Sequence, residues 1–180
     1  MKLRLFLLFV GIGFTMESNA QERSVKQQLF ASIGALDFSY IENFFGSNGS
    51  VSGLPGVGML EYRLSQNRIG AGVSVFSRSL DQEKWNETRA HRFLGIIPHF
   101  DFYWVNTGNY QVSSQLAVGY RFGETTITDN ANGYFVSLYR RGAFQIIPLS
   151  VTAGRGRWLG RFEVGIGHKG FASLGIGLQL

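Results

Sequence analysis

From position 158 to the end, the chain alternates strictly between apolar and polar or glycine positions. Trp158, Gly160, Phe162, Val164 and Ile166 fall on one side, with Leu159, Arg161, Glu163, Gly165 and Gly167 on the other. Beyond Lys169-Gly170, the residues Ala172, Leu174, Ile176, Leu178 and Leu180 alternate with Ser173, Gly175, Gly177 and Gln179. A period of two marks a β-strand with two unlike faces, so this stretch reads as a hairpin that turns at Lys169-Gly170. Each run is close to the roughly 9–11 residues that a tilted strand needs to cross a bilayer.

The same period recurs upstream. Over 29–41, Phe30, Leu36, Phe38 and Tyr40 share one face and Ala31, Ile33, Ala35, Asp37 and Ser39 the other, and Asp37 argues that the second set looks inward. Over 54–64, Leu54, Leu60, Tyr62 and Leu64 oppose Glu61 and Arg63. From 69, Ile69, Ala71, Val73 and Val75 oppose Gly70, Gly72, Ser74 and Arg78. Over 92–105, Leu94, Ile96, Phe100, Phe102 and Trp104 oppose Gly95, His99, Asp101 and Tyr103. Over 110–122, Tyr110, Val112, Leu116, Val118, Tyr120 and Phe122 oppose Gln111, Ser113, Gln115, Ala117, Gly119 and Arg121. Residues 134–153 are too long for one crossing, so 143–153 is expected to span and 134–142 to extend above the membrane or bend.

With the terminal pair, that makes eight strands. Three connections are short: 65–68, the Asn106-Thr107-Gly108-Asn109 turn signal, and 154–157. Three are long and aperiodic, at 43–53, 80–91 and 123–133. They alternate along the chain, so short turns gather on one side and long loops on the other, the arrangement of an outer-membrane barrel. A last strand that ends the chain implies pairing with the first, which closes the sheet. The expectation is an all-β, eight-stranded antiparallel transmembrane β-barrel, an up-and-down meander. The run LGIIPHFDF at 94–102 echoes FQIIPLSVT at 144–152, as expected of two equivalent strands. Pro98 and Pro148 cannot donate to a ladder, so a bulge is expected at each.

Composition adds the route and removes alternatives. Lys2 and Arg4, the apolar run 5–14 and Ser18-Asn19-Ala20 form a secretory signal peptide over 1–20. That divides the chain into the signal peptide, a periplasmic segment 21–28 and a barrel over 29–180. Of 17 basic and 12 acidic residues, Lys2, Arg4 and Glu17 lie in the leader, which leaves 15 against 11 and a net charge of +4. The excess is scattered, and Arg140-Arg141 is the only adjacent basic pair after position 20, so nucleic-acid binding is excluded. With no cysteine, an exported chain must draw stability from its sheet and the bilayer. A mean hydropathy near zero beside 44% hydrophobic residues means that apolar positions are interleaved with polar ones, as in membrane barrels.

Candidate chemistry lies on the inward face: Glu61, Arg63, His99, Asp101, Arg121, Arg161 and Glu163. An eight-stranded barrel has room inside only for side chains, so these ions should pair into one polar cluster that plugs the lumen. A narrow ion path is the functional alternative. Trp104, Tyr110 and Trp158 lie beside short turns, while Tyr120 lies toward the long loops, giving two levels of interfacial aromatics; a soluble barrel with ordinary core aromatics is the competing reading. The histidines are His91, His99 and His168, and no pair has metal-ligand spacing. His168 with Ser173 across the last hairpin is the one arrangement with the residue types of a lipid-modifying enzyme. Lys84, Trp85 and Arg89 in the second long loop are candidates for contact with an extracellular partner.

Together these residues resemble the small eight-stranded outer-membrane β-barrel proteins of Gram-negative bacteria, the OmpA-like and OmpX-like class. The resemblance covers 29–180 and rests on the leader, the sorted loops and the closing run RFEVGIGHKGFASLGIGLQL. Many members end in an aromatic residue read by the barrel-insertion machinery, whereas this chain ends in Leu180. The resemblance implies outer-membrane residence with both termini periplasmic, and surroundings of outer-membrane lipid and lipopolysaccharide. It further implies a monomer without cofactor or enzymatic activity, with a structural or surface-interaction role through its extracellular loops.

Overall fold

The computed structural model describes residues 25–35, 50–52, 56–84, 87–107, 109–129 and 133–180. They form the strands β1 (Lys26–Ala35), β2 (Ser50–Ser52), β3 (Gly56–Gln66), β4 (Ile69–Lys84), β5 (Glu87–Asn106), β6 (Tyr110–Asp129), β7 (Gly133–Arg155), β8 (Trp158–Gly167) and β9 (Ala172–Gln179). Eight of them close a ring in the order β1-β3-β4-β5-β6-β7-β8-β9, all antiparallel, and β2 is an added rung on the outer end of β4. Closure is made by β1 against β9, from Gln28↔Gln179 to Ala35↔Ala172. Every strand of the ring therefore has two neighbours and no edge is left in the apolar zone, the condition for crossing lipid with strands.

Alternation sorts the side chains as the pattern predicts on six of the seven strands whose faces it assigns. On β8 the burial pattern is a strict exchange, with Arg161 and Glu163 buried and Phe162 and Val164 exposed. Exposed Leu60, Val75, Ile96, Leu116, Ile146 and Ile176 belong to an apolar outer band, while the interior holds the ions. The first strand reverses the expectation. Phe30 is fully buried and Ile33 is 67% exposed. The arginines make this possible: the guanidinium of Arg161 lies 4.0 Å and that of Arg63 5.8 Å from the Phe30 ring centroid, so an aromatic face satisfies cations in the lumen. Leu36 to Ser39, which carried that assignment, lie outside the described residues. The strand also begins at Lys26, so 26–28 belong to the barrel and not to the segment expected to precede it.

Two expected loops are strands. Over 80–91, β4 and β5 stay paired from Leu80↔His91 to Lys84↔Glu87. Over 123–133, β6 and β7 stay paired from Gly123↔Tyr139 to Asp129↔Gly133. Of the first long loop, 50–52 is the short β2 and 43–49 and 53 lie outside the described residues. Residues 134–142 continue β7 upward without a bend. The short turns narrow to Asn67-Arg68, with Asn67 at φ 55°, and Gly156-Arg157, with Gly156 at φ 64°.

The two prolines behave differently. At Pro148 the registers to both neighbours shift, a bulge that frees the Pro148 carbonyl. The Ser114 hydroxyl donates to that carbonyl at 2.7 Å, and Trp104 Nε1 donates to Ser114 Oγ at 2.9 Å, so polar groups on the lipid side are satisfied locally. At Pro98 there is no bulge. The β5–β6 ladder omits pairs at Ile97 and Pro98 but keeps one register from Ile96↔Tyr120 to His99↔Ala117.

Candidate functional site

The lumen is filled in layers. Nearest the short turns, Lys26 Nζ donates to Asn106 Oδ1 at 2.9 Å and to the Thr107 carbonyl at 2.8 Å, and Gln111 Nε2 donates to the same Asn106 oxygen at 3.0 Å.

Above this layer lies an ionic network, with each member delivered by strand alternation. Glu61 on β3 pairs with its neighbour Arg63, with Arg161 at 2.6 Å and with Lys169 at 2.7 Å. Glu163 on β8 pairs with Arg63 at 3.0 Å, Lys169 at 3.1 Å and Arg161 at 3.3 Å, and accepts from Ser173 at 2.8 Å. Asp101 sits 3.6 Å from Arg63 and 4.0 Å from His99. Gln115 ties the halves together, donating to Asp101 at 3.2 Å and accepting from Lys169 at 3.1 Å. Three carboxylates, Glu61, Glu163 and Asp101, thus face three cations, Arg63, Arg161 and Lys169.

Of the residues expected in one cluster, the structure brings together Glu61, Arg63, His99, Asp101, Arg161 and Glu163. Arg121 is elsewhere. Its guanidinium lies 5.4 Å from the Phe93 ring centroid and 6.0 Å from that of Tyr139, because β6 carries it past the apolar layer toward the end opposite the short turns. Lys169 takes the third cationic place. Alternation could not find it, since it sits in the β8–β9 turn. That turn folds inward: the Lys169 amide donates to Gln145 Oε1 at 2.7 Å and His168 N to the Phe144 carbonyl at 3.2 Å. Gly34 is the seat, because a Cβ there would collide with the Lys169 carbonyl.

Over the ions lies an apolar layer of Val57, Met59, Phe76, Ile97, Ala117 and Ala143. His168 belongs to it, stacked on Phe76 with centroids 5.5 Å apart. The pairing of His168 with Ser173 does not form a nucleophile and base: the ring is engaged with Phe76 and the Ser173 hydroxyl donates to Glu163. Among the described residues no group of three metal-ligating side chains occurs.

Beyond this layer, β4–β7 rise as a sheet with one side turned to the barrel axis. Its first four rungs present Arg121 and Arg141, then Arg78 with Phe93 and Tyr139, then His91, then Arg89. No carboxylate falls on these rungs; Glu87 and Asp129 come one rung higher. Aromatic faces hold the cations, Arg141 lying 5.4 Å from the Tyr139 centroid. Burial and the nearby Arg89 push His91 below its ordinary pKa against the pull of Asp81, and the ring bonds to Thr125 Oγ1 at 2.9 Å. Arg89 thus stands half-buried on this wall, Lys84 ends β4, and Trp85 lies outside the described residues.

The expected interfacial aromatics all lie on the outer surface: Trp104, Tyr110 and Trp158 at the end with the short turns, and Tyr120 with Phe122 ten residues up β6 from Tyr110.

This closed ring, apolar outside and ionic within, is the architecture of a small membrane barrel. The chain has the fold of the eight-stranded outer-membrane barrels of the OmpA and OmpX type. It is similar in structure to Ail, the attachment invasion locus protein of Yersinia pestis, with a TM-score of 0.52 and 12% identity, covering 88% of this chain and 99% of that one. To Ail in complex with the heparin analogue sucrose octasulfate the TM-score is 0.50 at 10% identity, covering 87% and 95%. No family model matches the chain, and no curated protein matches it in sequence.

Proposed function

We propose that the protein is a non-enzymatic, non-conducting barrel of the outer membrane, monomeric, with both termini periplasmic, that acts by surface contact through the sheet above the membrane. Surrounded by outer-membrane lipid and lipopolysaccharide after delivery by the barrel-insertion machinery, it has a lumen closed by charge pairs and an apolar layer. The observation that carries the reading is the axis-facing wall of the sheet, where Arg121, Arg141 and Arg89 stand with Phe93 and Tyr139 beside a buried Arg78, with no carboxylate over four rungs. Guanidinium groups suit sulfate and phosphate oxygens, and aromatic faces suit sugar rings. An anionic saccharide is therefore the proposed extracellular ligand. The complex of Ail with a heparin analogue supports this class for a barrel of this shape.

The test is retention on immobilised heparin. Purified protein should be held at low salt and released as ionic strength rises, since exposed charges are screened within about 10 Å at 0.1 M. The double variant Arg121→Gln/Arg141→Gln should lose about tenfold in affinity, matching loss of ~1.4 kcal/mol. Equal retention of this variant, or equal binding to neutral dextran, would contradict the proposal.

A further inference from the structure

The outer side of the same sheet carries a second feature. Two adjacent rungs of outward side chains border a shallow, open groove of about 830 Å³. Leu94, Phe122 and Arg140 lie on the lower rung and Arg92, Glu124 and Leu138 on the upper one. The rung between them turns its side chains to the axis, so backbone forms the floor.

The groove begins where the apolar band ends. Leu94 is 56% and Phe122 48% exposed, and Ile96 and Tyr120 continue the greasy surface below. Here Arg140 does not reach away into water. Its guanidinium lies 4.4 Å from the Tyr120 ring centroid and 5.4 Å from that of Phe122. An aromatic shelf thus holds a cation at the level where a bilayer presents its headgroups. Beside it, Gly142 leaves open space, with nothing within 4 Å of where a Cβ would stand. Glu124 is the cross-strand partner of Arg92, whereas the rung of Arg140 holds no acid.

We infer that this groove holds an acyl lipid of the outer leaflet whose headgroup carries phosphate. The acyl part lies on Leu94 and Phe122, and the phosphate accepts hydrogen bonds from Arg140, with Arg92 as a second donor. Two guanidiniums against one carboxylate favour an anionic headgroup over a zwitterionic one, and the apolar lower rung favours a lipid over a soluble anion. The inference rests on the chain spanning a membrane, and not on the saccharide proposed for the opposite face.

Native mass spectrometry of the full mature protein from detergent micelles tests it, with lipid A and its dephosphorylated form as probes. The wild type should retain the phosphorylated lipid at least tenfold in preference to the other. Arg92→Gln/Arg140→Gln should reduce that preference below threefold, while Arg157→Gln, in the exposed Gly156-Arg157 turn at the other end of the barrel, leaves it unchanged. Gly142→Leu, which fills the open space without changing charge, should lower the preference too, and gives the reading if the double variant does not fold. Millimolar inorganic phosphate should not displace the lipid. Equal retention of both lipids by the wild type, an unchanged preference in the folded variants, or displacement by free phosphate would overturn the inference.

Discussion

Glu163 shows at the residue scale what holds the lumen together. It is fully enclosed, touches Arg63, Arg161 and Lys169, and accepts from Ser173. Removing one partner from such a set strands buried charge, whereas removing an exposed acid costs little. Glu163→Ala should therefore lose about 3–5 kcal/mol of stability. Asp81→Ala, at an exposed position on the outer end of β4, should lose less than about 0.5 kcal/mol. Urea unfolding in lipid vesicles measures both, and equal losses would mean that the network is wet. Most of this network was legible because an ion opposite an apolar run on a membrane strand has only one tolerable side: facing lipid at mid-depth costs roughly 2–4 kcal/mol for Arg. Phe30 was not legible, since an aromatic is tolerated on either face and the arginines that draw it inward come from other strands. Lys169 was hidden for a different reason: a turn residue has no alternation to read, and its direction depends on the fold of the whole hairpin.

At the scale of the element, the β8–β9 hairpin does more than join two strands. By dipping inward it delivers the Lys169 ammonium to Glu61 and Glu163, and it can do so only because Gly34 on β1 has no side chain where the Lys169 carbonyl passes. Gly34→Val should lift the turn and separate Lys169 from its acids. The expected result is destabilisation close to that of Lys169→Ala, and less than additive loss in the double variant. Strict additivity in urea unfolding would show that the glycine and the lysine act separately. The extensions of β4–β7 were missed because the rule that exposed them elsewhere fails above the bilayer. With water on both sides, no face must be apolar, so charged segments such as 80–91 carry no period even when fully paired. The missing amide pointed to the β-bulge at Pro148 and equally to one at Pro98, where none forms. Pro98 shows that a ladder can instead omit a rung while keeping its register.

At the scale of the molecule, the layers divide the labour. Strands of unequal length make a ring within the membrane and a sheet above it, and the ring is filled from the Lys26 end to the apolar layer of Phe76 and Ile97. On the proposed reading a barrel filled in this way transports nothing, and its two-sided upper sheet is the place where it meets other molecules. A narrow channel would need a continuous wet path past Glu61, Arg63 and Glu163, whose side chains are almost wholly shielded from solvent. The most direct test is current through the purified monomer in a planar bilayer at high salt. The account predicts no steady conductance steps at moderate voltage. Stable, reproducible steps from the monomer would contradict it, because they would require the charge network and the apolar layer above it to stand open.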